Sequence, residues 1–282
     1  MENITRTIYG AKLQSSLLLN KPVIIDTNST LNEKFSIQAN VALGTNDKPA
    51  MNYVAVGNGG HRFVTGSNGR GRPVPIQHNP TDAALYNQLP FVLRTLDNDL
   101  DSIQKQKYGL RRVETYNAVQ YVAYYLKRLD LSTTVPEIKY SAVVNGSTTT
   151  TPFTPTTSNL NPTPPDVNVN GVNITTGDYV STSSRVPFVL TTDDITELMN
   201  VANIIEGDSN FAIISEIATC SGLDKVVQVT SPGQGTFNFN EVIAVQVASF
   251  ISTNFYLPST NAGLSLLLDV GATEPMMVLT SG

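Results

Sequence analysis

The spacing of apolar positions changes several times along this chain, and each change predicts a different element. Phe35, Ile37, Ala39 and Val41 alternate with Ser36, Gln38 and Asn40, the period of a half-buried strand. Pro22-Val23-Ile24-Ile25 is a short β-branched run closed by Asp26-Thr27-Asn28, and Tyr53-Val54-Ala55-Val56 is a compact apolar strand ending in Gly57-Asn58-Gly59-Gly60. Residues 1–56 therefore read as strands and turns. Asp82 to Leu89 reads as a helical turn or two stopped before Pro90, and Asp97 is placed to cap a helix through Asp101 and Gln104. Leu110, Val113, Tyr116, Val119, Val122, Leu126 and Leu129 then recur at steps of three and four. That stripe predicts one long amphipathic helix of about twenty residues, broadened by Tyr121, Tyr124 and Tyr125.

The pattern resumes at Val186-Pro187-Phe188-Val189-Leu190. Thr191 with Asp194 makes a start like a capping box, Ile195, Leu198, Met199, Ala202 and Ile205 form a helical stripe, and Gly207 ends it. Strands are expected at Phe211–Ile217 and Val226–Val229 around a Cys220-Ser221-Gly222 turn. More are expected at Thr236–Asn240, Ile243–Val247, Leu264–Val270 and Met276–Leu279, with a strong turn at Ser231–Gly235. The fold class is α+β: a strand-rich body, one long amphipathic helix, a second shorter helix and an extended Thr/Pro-rich arm in the middle.

Two stretches break the pattern. Residues 57–81 are punctuated by Gly and Pro throughout and read as a long loop. Between Asp47 and Asp82 the loop region holds Lys48, Arg62, Arg70 and Arg72 with His61 and His78, and no acid. Residues 140–165 contain no charged residue, and Asn145–Pro165 holds eight Thr and five Pro. Such a stretch buries too little apolar surface to fold alone, so it reads as a linker or extended arm. The expected organisation is an N-terminal α+β region at 1–139, an arm or linker at 140–185, and a C-terminal α+β region at 186–282.

Composition narrows the function. Of 282 residues only 15 % are charged, against about 25 % in an ordinary soluble domain. The net charge of −5 argues against nucleic acid as a partner. One cysteine makes no disulfide framework, and Cys220 with two distant histidines makes no zinc site of usual spacing. No apolar run reaches the roughly 18 residues of a membrane helix, and the N-terminus does not read as a signal peptide. A reducing cytosol is the expected place of synthesis, and the Asn-x-Ser/Thr sequons read as by-products of Asn/Thr richness.

Three segments look like chemical sites. The strand entering Gly57-Asn58-Gly59 resembles the opening of a dinucleotide site, but the third glycine position holds Arg62 and no helix follows. A glycine turn with positive φ is the expectation there. Cys220 reads as a buried inert thiol, and Asp97, Asp99 and Asp101 as acids favourable near a helix start, not as a calcium loop. No catalytic, cofactor-binding or metal residue is assigned, and no cofactor is expected. Candidates for partner contact are Arg62, Arg70 and Arg72, which suit an acidic protein surface, Phe153 in the arm, and Tyr121, Tyr124 and Tyr125 on the expected helix.

The segment from Tyr53-Val54-Ala55-Val56-Gly57-Asn58-Gly59-Gly60 through Pro80-Thr81-Asp82-Ala83-Ala84-Leu85 to Leu89-Pro90-Phe91-Val92-Leu93-Arg94 resembles virion structural proteins of tailed bacteriophages. It is most similar to tail, baseplate and fibre-attachment proteins, over about residues 50–95. The resemblance implies a non-enzymatic component of the tail, baseplate or neck, present in multiple copies or as a homo-oligomer. Its partners would be other virion structural proteins, with no membrane, and its place the virion, assembled in the host bacterial cytoplasm. A head-surface or collar protein is the alternative within that class, and a glycan-binding adhesin module the alternative outside it.

Overall fold

The computed structural model describes residues 3–25, 31, 34–37, 43–67, 69–144, 147–158, 167–168, 171–172, 179–231, 234–259 and 263–275. The chain forms two compact units, one of residues 1–129 with 189–264 and one of residues 130–188 with 265–282. The elements of the first unit up to residue 129 are β1 (Asn3–Arg6), α1 (Ile8–Leu18), β2 (Ala50–Gly57), β3 (His61–Thr65), β4 (Gly71–Pro75), β5 (Gln88–Leu89), β6 (Val92–Thr95), α2 (Ser102–Lys105), β7 (Tyr108–Tyr116) and β8 (Val119–Arg128). The second unit holds β9 (Glu137–Val144), β10 (Ser147–Pro152), β11 (Val167–Asn168) and β12 (Gly171–Val172). β13 (Tyr179–Leu190) runs from it into the first unit, which continues with α3 (Thr192–Glu206), β14 (Ile213–Ser231) and β15 (Gly235–Tyr256). β16 (Leu264–Pro275) closes the order.

The first unit is built on an eight-stranded sheet in the order β1-β15-β14-β2-β8-β6, with β5 on β2 and β7 on β8. β14 and β15 are long antiparallel partners of 19 and 22 residues. β14 also pairs β2, with Glu216 opposite Gly57 and Cys220 opposite Tyr53. The core gathers Tyr53, Ala55, Leu93, Leu110, Ala123, Leu126, Ala218, Val245, Val247 and Phe250 with Val201 of α3. α3 is tied to β6, where Asn200 Nδ2 donates to Leu93 O at 3.1 Å and Arg94 Nε to Glu197 Oε2 at 3.1 Å. The Thr191/Asp194 capping box and Gly207, at φ 82, bound this helix where the sequence places them.

The second unit has a four-stranded sheet in the order β10-β9-β13-β16. Within β13, Val186, Phe188 and Leu190 are buried while Val189 is exposed, the alternation of a strand buried on one face. Every residue of β10 faces solvent. Residues 140–144 and 147–152 of the expected arm thus pair as strands β9 and β10, and residues 159–166 lie outside the described ones. The boundaries expected at 139 and 186 fall inside β9 and β13.

Several expectations are corrected. The long helix is a β-hairpin: β7 and β8 pair in register from Tyr108↔Lys127 to Tyr116↔Val119. Asn117 and Ala118 turn the chain at φ 49 and 63, the two left-handed positions of a tight hairpin. β8 has partners on both sides and buries Val122 through Leu126 consecutively, so no alternation betrays the strand. Steps of three and four can be drawn through any such dense apolar run. Where strand and turn are expected, Ile8–Leu18 form the helix α1, capped by Thr7, whose side chain accepts from Gly10 N. Residues 22–25 and 35–37 are irregular or turn, and 38–41 lie outside the described residues. Asp82–Leu89 holds turns and β5 in place of helix, and the 102–105 helix is capped by Asp101, not Asp97. Cys220-Ser221-Gly222 is no turn; β14 runs through it with a register shift. The 57–81 loop contains the β3–β4 hairpin. Met276–Leu279 lies outside the described residues.

A buried ion cluster fixes the Ser231–Phe237 end of the β14–β15 ribbon. The Asp99 carboxylate, fully buried, accepts from Tyr124 Oη at 2.5 Å and Arg111 at 3.0 Å, and lies 3.2 Å from Lys105 Nζ. Arg111 also donates to Ser231 Oγ at 2.9 Å, and Lys105 Nζ sits 4.0 Å from the centre of the Phe237 ring. Burial alone would push the Asp99 carboxyl up, but the Tyr124 hydrogen bond and the Arg111 charge outweigh it and hold it below the usual carboxylate range. At Asp194 burial is likewise outweighed, there by Lys127 and Thr191.

Two outcomes follow for stability. Ala118→Gly, which relieves a side chain held at positive φ, should stabilise the fold by about 0.5–1 kcal/mol in urea denaturation. Both depressed carboxyls contribute stability that is complete above their unfolded pKa and lost as pH falls through and below about 4. Asp99→Asn should therefore cost roughly 3 kcal/mol at pH 7, leaving Arg111 and Lys105 without their counter-charge, and should flatten the loss between pH 5 and pH 2. An unchanged pH dependence in the variant would refute this assignment.

Candidate functional site

The site begins with an acid where the pattern forbids one. Glu216 lies in the buried run Ile214–Gly222 of β14 and is itself 0 % exposed. A carboxylate so placed loses its hydration and survives only if hydrogen bonds replace it. Four do. Oε1 accepts from Gly59 N at 3.0 Å and Asn87 N at 2.9 Å. Oε2 accepts from Tyr86 N at 3.0 Å and faces His78 Nε2 at 2.9 Å.

The glycines at the end of β2 and just after it leave room for this contact. A Cβ on Gly57 would lie 2.5 Å from both Glu216 Oε1 and Asn87 O. On Gly59 it would lie 2.7 Å from Asn87 N, and on Gly60 2.6 Å from Ser215 O. None of the three takes positive φ, so the expected glycine turn is instead a close approach of backbone to side chain. The Gly-x-Gly-Gly segment does bring a backbone N–H, that of Gly59, to a carboxylate, and that carboxylate is the chain's own Glu216.

His78 completes the cluster. Its ring is stacked between Tyr86 at 4.2 Å and Phe250 of β15 at 3.8 Å. Nδ1 lies 3.1 Å from Asp82 Oδ2, which also accepts from Asn79 N at 2.9 Å. Both ring faces are covered by aromatic rings and both nitrogens are placed on carboxylates. A histidine held between two acids is a familiar catalytic grouping, but this one has no open face for a substrate. It acts as a clamp.

What the clamp holds is the β3–β4 hairpin, residues 61–75. Chain entering the hairpin is fixed at Gly59 and by Gly60 N donating to Ser215 Oγ at 3.0 Å. Chain leaving it is fixed at His78, with Ile76 N donating to Gly60 O at 2.7 Å and Ser252 Oγ to Ile76 O at 2.8 Å. Both ends of the hairpin thus rest on β14 and β15. The register pairs Arg62 with Val74 and Val64 with Arg72, so Arg62 and Arg72 share one face. Phe63 lies on the other face, opposite Pro73, and is 68 % exposed.

The contact candidates therefore part company. Arg62, Arg70 and Arg72 are gathered on this exposed hairpin. Tyr124 and Tyr125 are buried, their hydroxyls donating to Asp99 and to Glu114 at 2.5 and 2.7 Å, so they are core residues and not partner contacts. Tyr121 is half-buried beside Tyr116. Phe153 belongs to the second unit, just after β10, and is 38 % exposed. Cys220 is buried and its thiol is pushed up to about 12 by desolvation, which makes it a poor nucleophile. Among the described residues no group of three or more His, Cys, Asp or Glu side chains is arranged to hold a metal ion. Among the described residues no helix is long and apolar enough to cross a membrane.

Sequence reading missed Glu216, His78 and Asp82. The available signal was Glu216 itself, an acid between Ile214 and Ile217 in an apolar strand. Glu216→Gln keeps the shape but turns an amide NH2 toward backbone donors. We expect it to destabilise the protein by about 3 kcal/mol or more. It should also raise amide exchange across residues 59–78 ahead of the rest of the sheet, read by hydrogen exchange with mass spectrometry. Unchanged protection there would refute the clamp.

No curated protein and no solved structure matches this chain. One family profile matches it over residues 1–282, and on that extent the chain belongs to the family of unknown function DUF7208.

Proposed function

We propose that this protein is a non-enzymatic structural component of a tailed-phage virion, in the tail, baseplate or neck, and that its β3–β4 hairpin is an assembly contact. The observation that carries the reading is the hairpin's mounting. A two-stranded ribbon alone is marginally stable in water. Here both its ends are tied to a buried carboxylate, and it presents arginines on one face and Phe63 on the other. Binding with a rigid element costs less ordering entropy than binding with a mobile loop. Exposed arginine and aromatic side chains are also the types that dominate contact energies between proteins. The likeness of residues 50–95 to tail and baseplate proteins supports placing that contact in a virion.

The test is made on purified particles. Mass spectrometry should find the chain in them, and trypsin, which can reach the exposed Arg70 between β3 and β4 in the isolated protein, should cut there at least about tenfold more slowly in the particle. Absence of the chain from particles, or equal cleavage in both states, would overturn the reading.

A further inference from the structure

The opposite charge lies at the end of α3. Glu206 is its last residue and Asp208 follows Gly207, with no basic residue in the last turn. A helix C-terminus already carries the negative end of the helix dipole, so acids there add like charge to like. Both side chains are exposed. Next to them the turn Ser209–Phe211 leaves Phe211 56 % exposed. Tyr256, opposite Ile213 in the β14–β15 register, is 45 % exposed and donates from its hydroxyl to Asn210 Oδ1 at 3.5 Å. The result is a patch of two carboxylates and two aromatic rings, a surface suited to guanidinium groups through ion pairs and ring stacking.

This patch and the basic hairpin lie toward the same end of β15. The hairpin's base is bonded at Ser252, four residues before Tyr256, or about 13 Å of strand. Complementary patches side by side on one molecule are what a two-fold pair of identical chains requires, because the axis makes each patch meet the other on the partner. We propose that this chain forms a two-fold dimer in which Arg62 and Arg72 of each copy dock on Glu206, Asp208, Phe211 and Tyr256 of the other. The proposal rests on the reading of the hairpin as a contact element and names its partner as a second copy. Two equivalent contacts form per dimer, and each brings an external cation to a helix end that lacks one of its own.

Charge reversal tests it with the full chain in sedimentation velocity. Wild type should dimerise, and R62E/R72E and E206R/D208R should each weaken the dimer by at least about tenfold. Mixing the two variants should restore it, since each then offers the charge the other lacks. The four-fold variant should also dimerise by itself. Thermal melts matching wild type separate lost association from lost fold, and restoration by mixing shows that both variants are folded. A monomeric wild type, a dimer indifferent to either reversal, or a mixture that stays monomeric would each overturn the proposal. A monomeric chain that still enters particles overturns the dimer alone; a charge-dependent dimer missing from particles overturns the virion reading alone.

Discussion

One buried carboxylate organises the main sheet. Removing Glu216 from water is unfavourable by several kcal/mol, and every neighbour is arranged to offset that cost. Gly57, Gly59 and Gly60 give up side chains so that backbone can approach; Tyr86 and Asn87 turn their N–H groups inward; His78 brings a ring that Phe250 and Tyr86 hold flat. An apolar residue at 216 would fill the space but orphan these donors. The directional bonds fix how β2, β14, β15 and the hairpin are set against one another, where hydrophobic contact alone would permit sliding.

The Asp99–Arg111–Lys105 cluster does comparable work elsewhere in the sheet. Together the two clusters change the meaning of the low charge. A chain with only 15 % charged residues commits Asp99, Lys105, Arg111, Asp194 and Glu216 to its interior. The outer surface is poorer in charge than the composition alone suggests.

Local signals were legible and distant ones were not. Thr191, Asp194 and Gly207 bracket α3 because caps are read from neighbours only. Tyr53–Val56 reads as a strand because it is short, apolar and closed by glycine. The β7–β8 hairpin was lost because β8 is covered on both faces, which erases the period of two; only Asn117-Ala118 and the density of Tyr and Val marked it. The glycines after β2 were visible, but their reason, Glu216, is 157 residues from Gly59. The cradle resembled a cofactor loop because both solve the same problem, bringing backbone N–H groups to an anion.

That separation also bears on how the protein is made. β2 pairs β14, and β1 pairs β15, so strands made early wait for strands made much later. At roughly 5–20 residues per second, the interval between Gly59 and Glu216 is on the order of 8–30 s. Through that time β2 can pair only with β5 and β8, its β14 edge stays open, and Gly57–Gly60 have no carboxylate to approach. The nascent chain therefore leaves the ribosome with a sticky apolar strand exposed. The sheet closes only once β14 and β15 have emerged, slowly, as folds with many distant pairings do, and it is in this window that the chain most needs a chaperone.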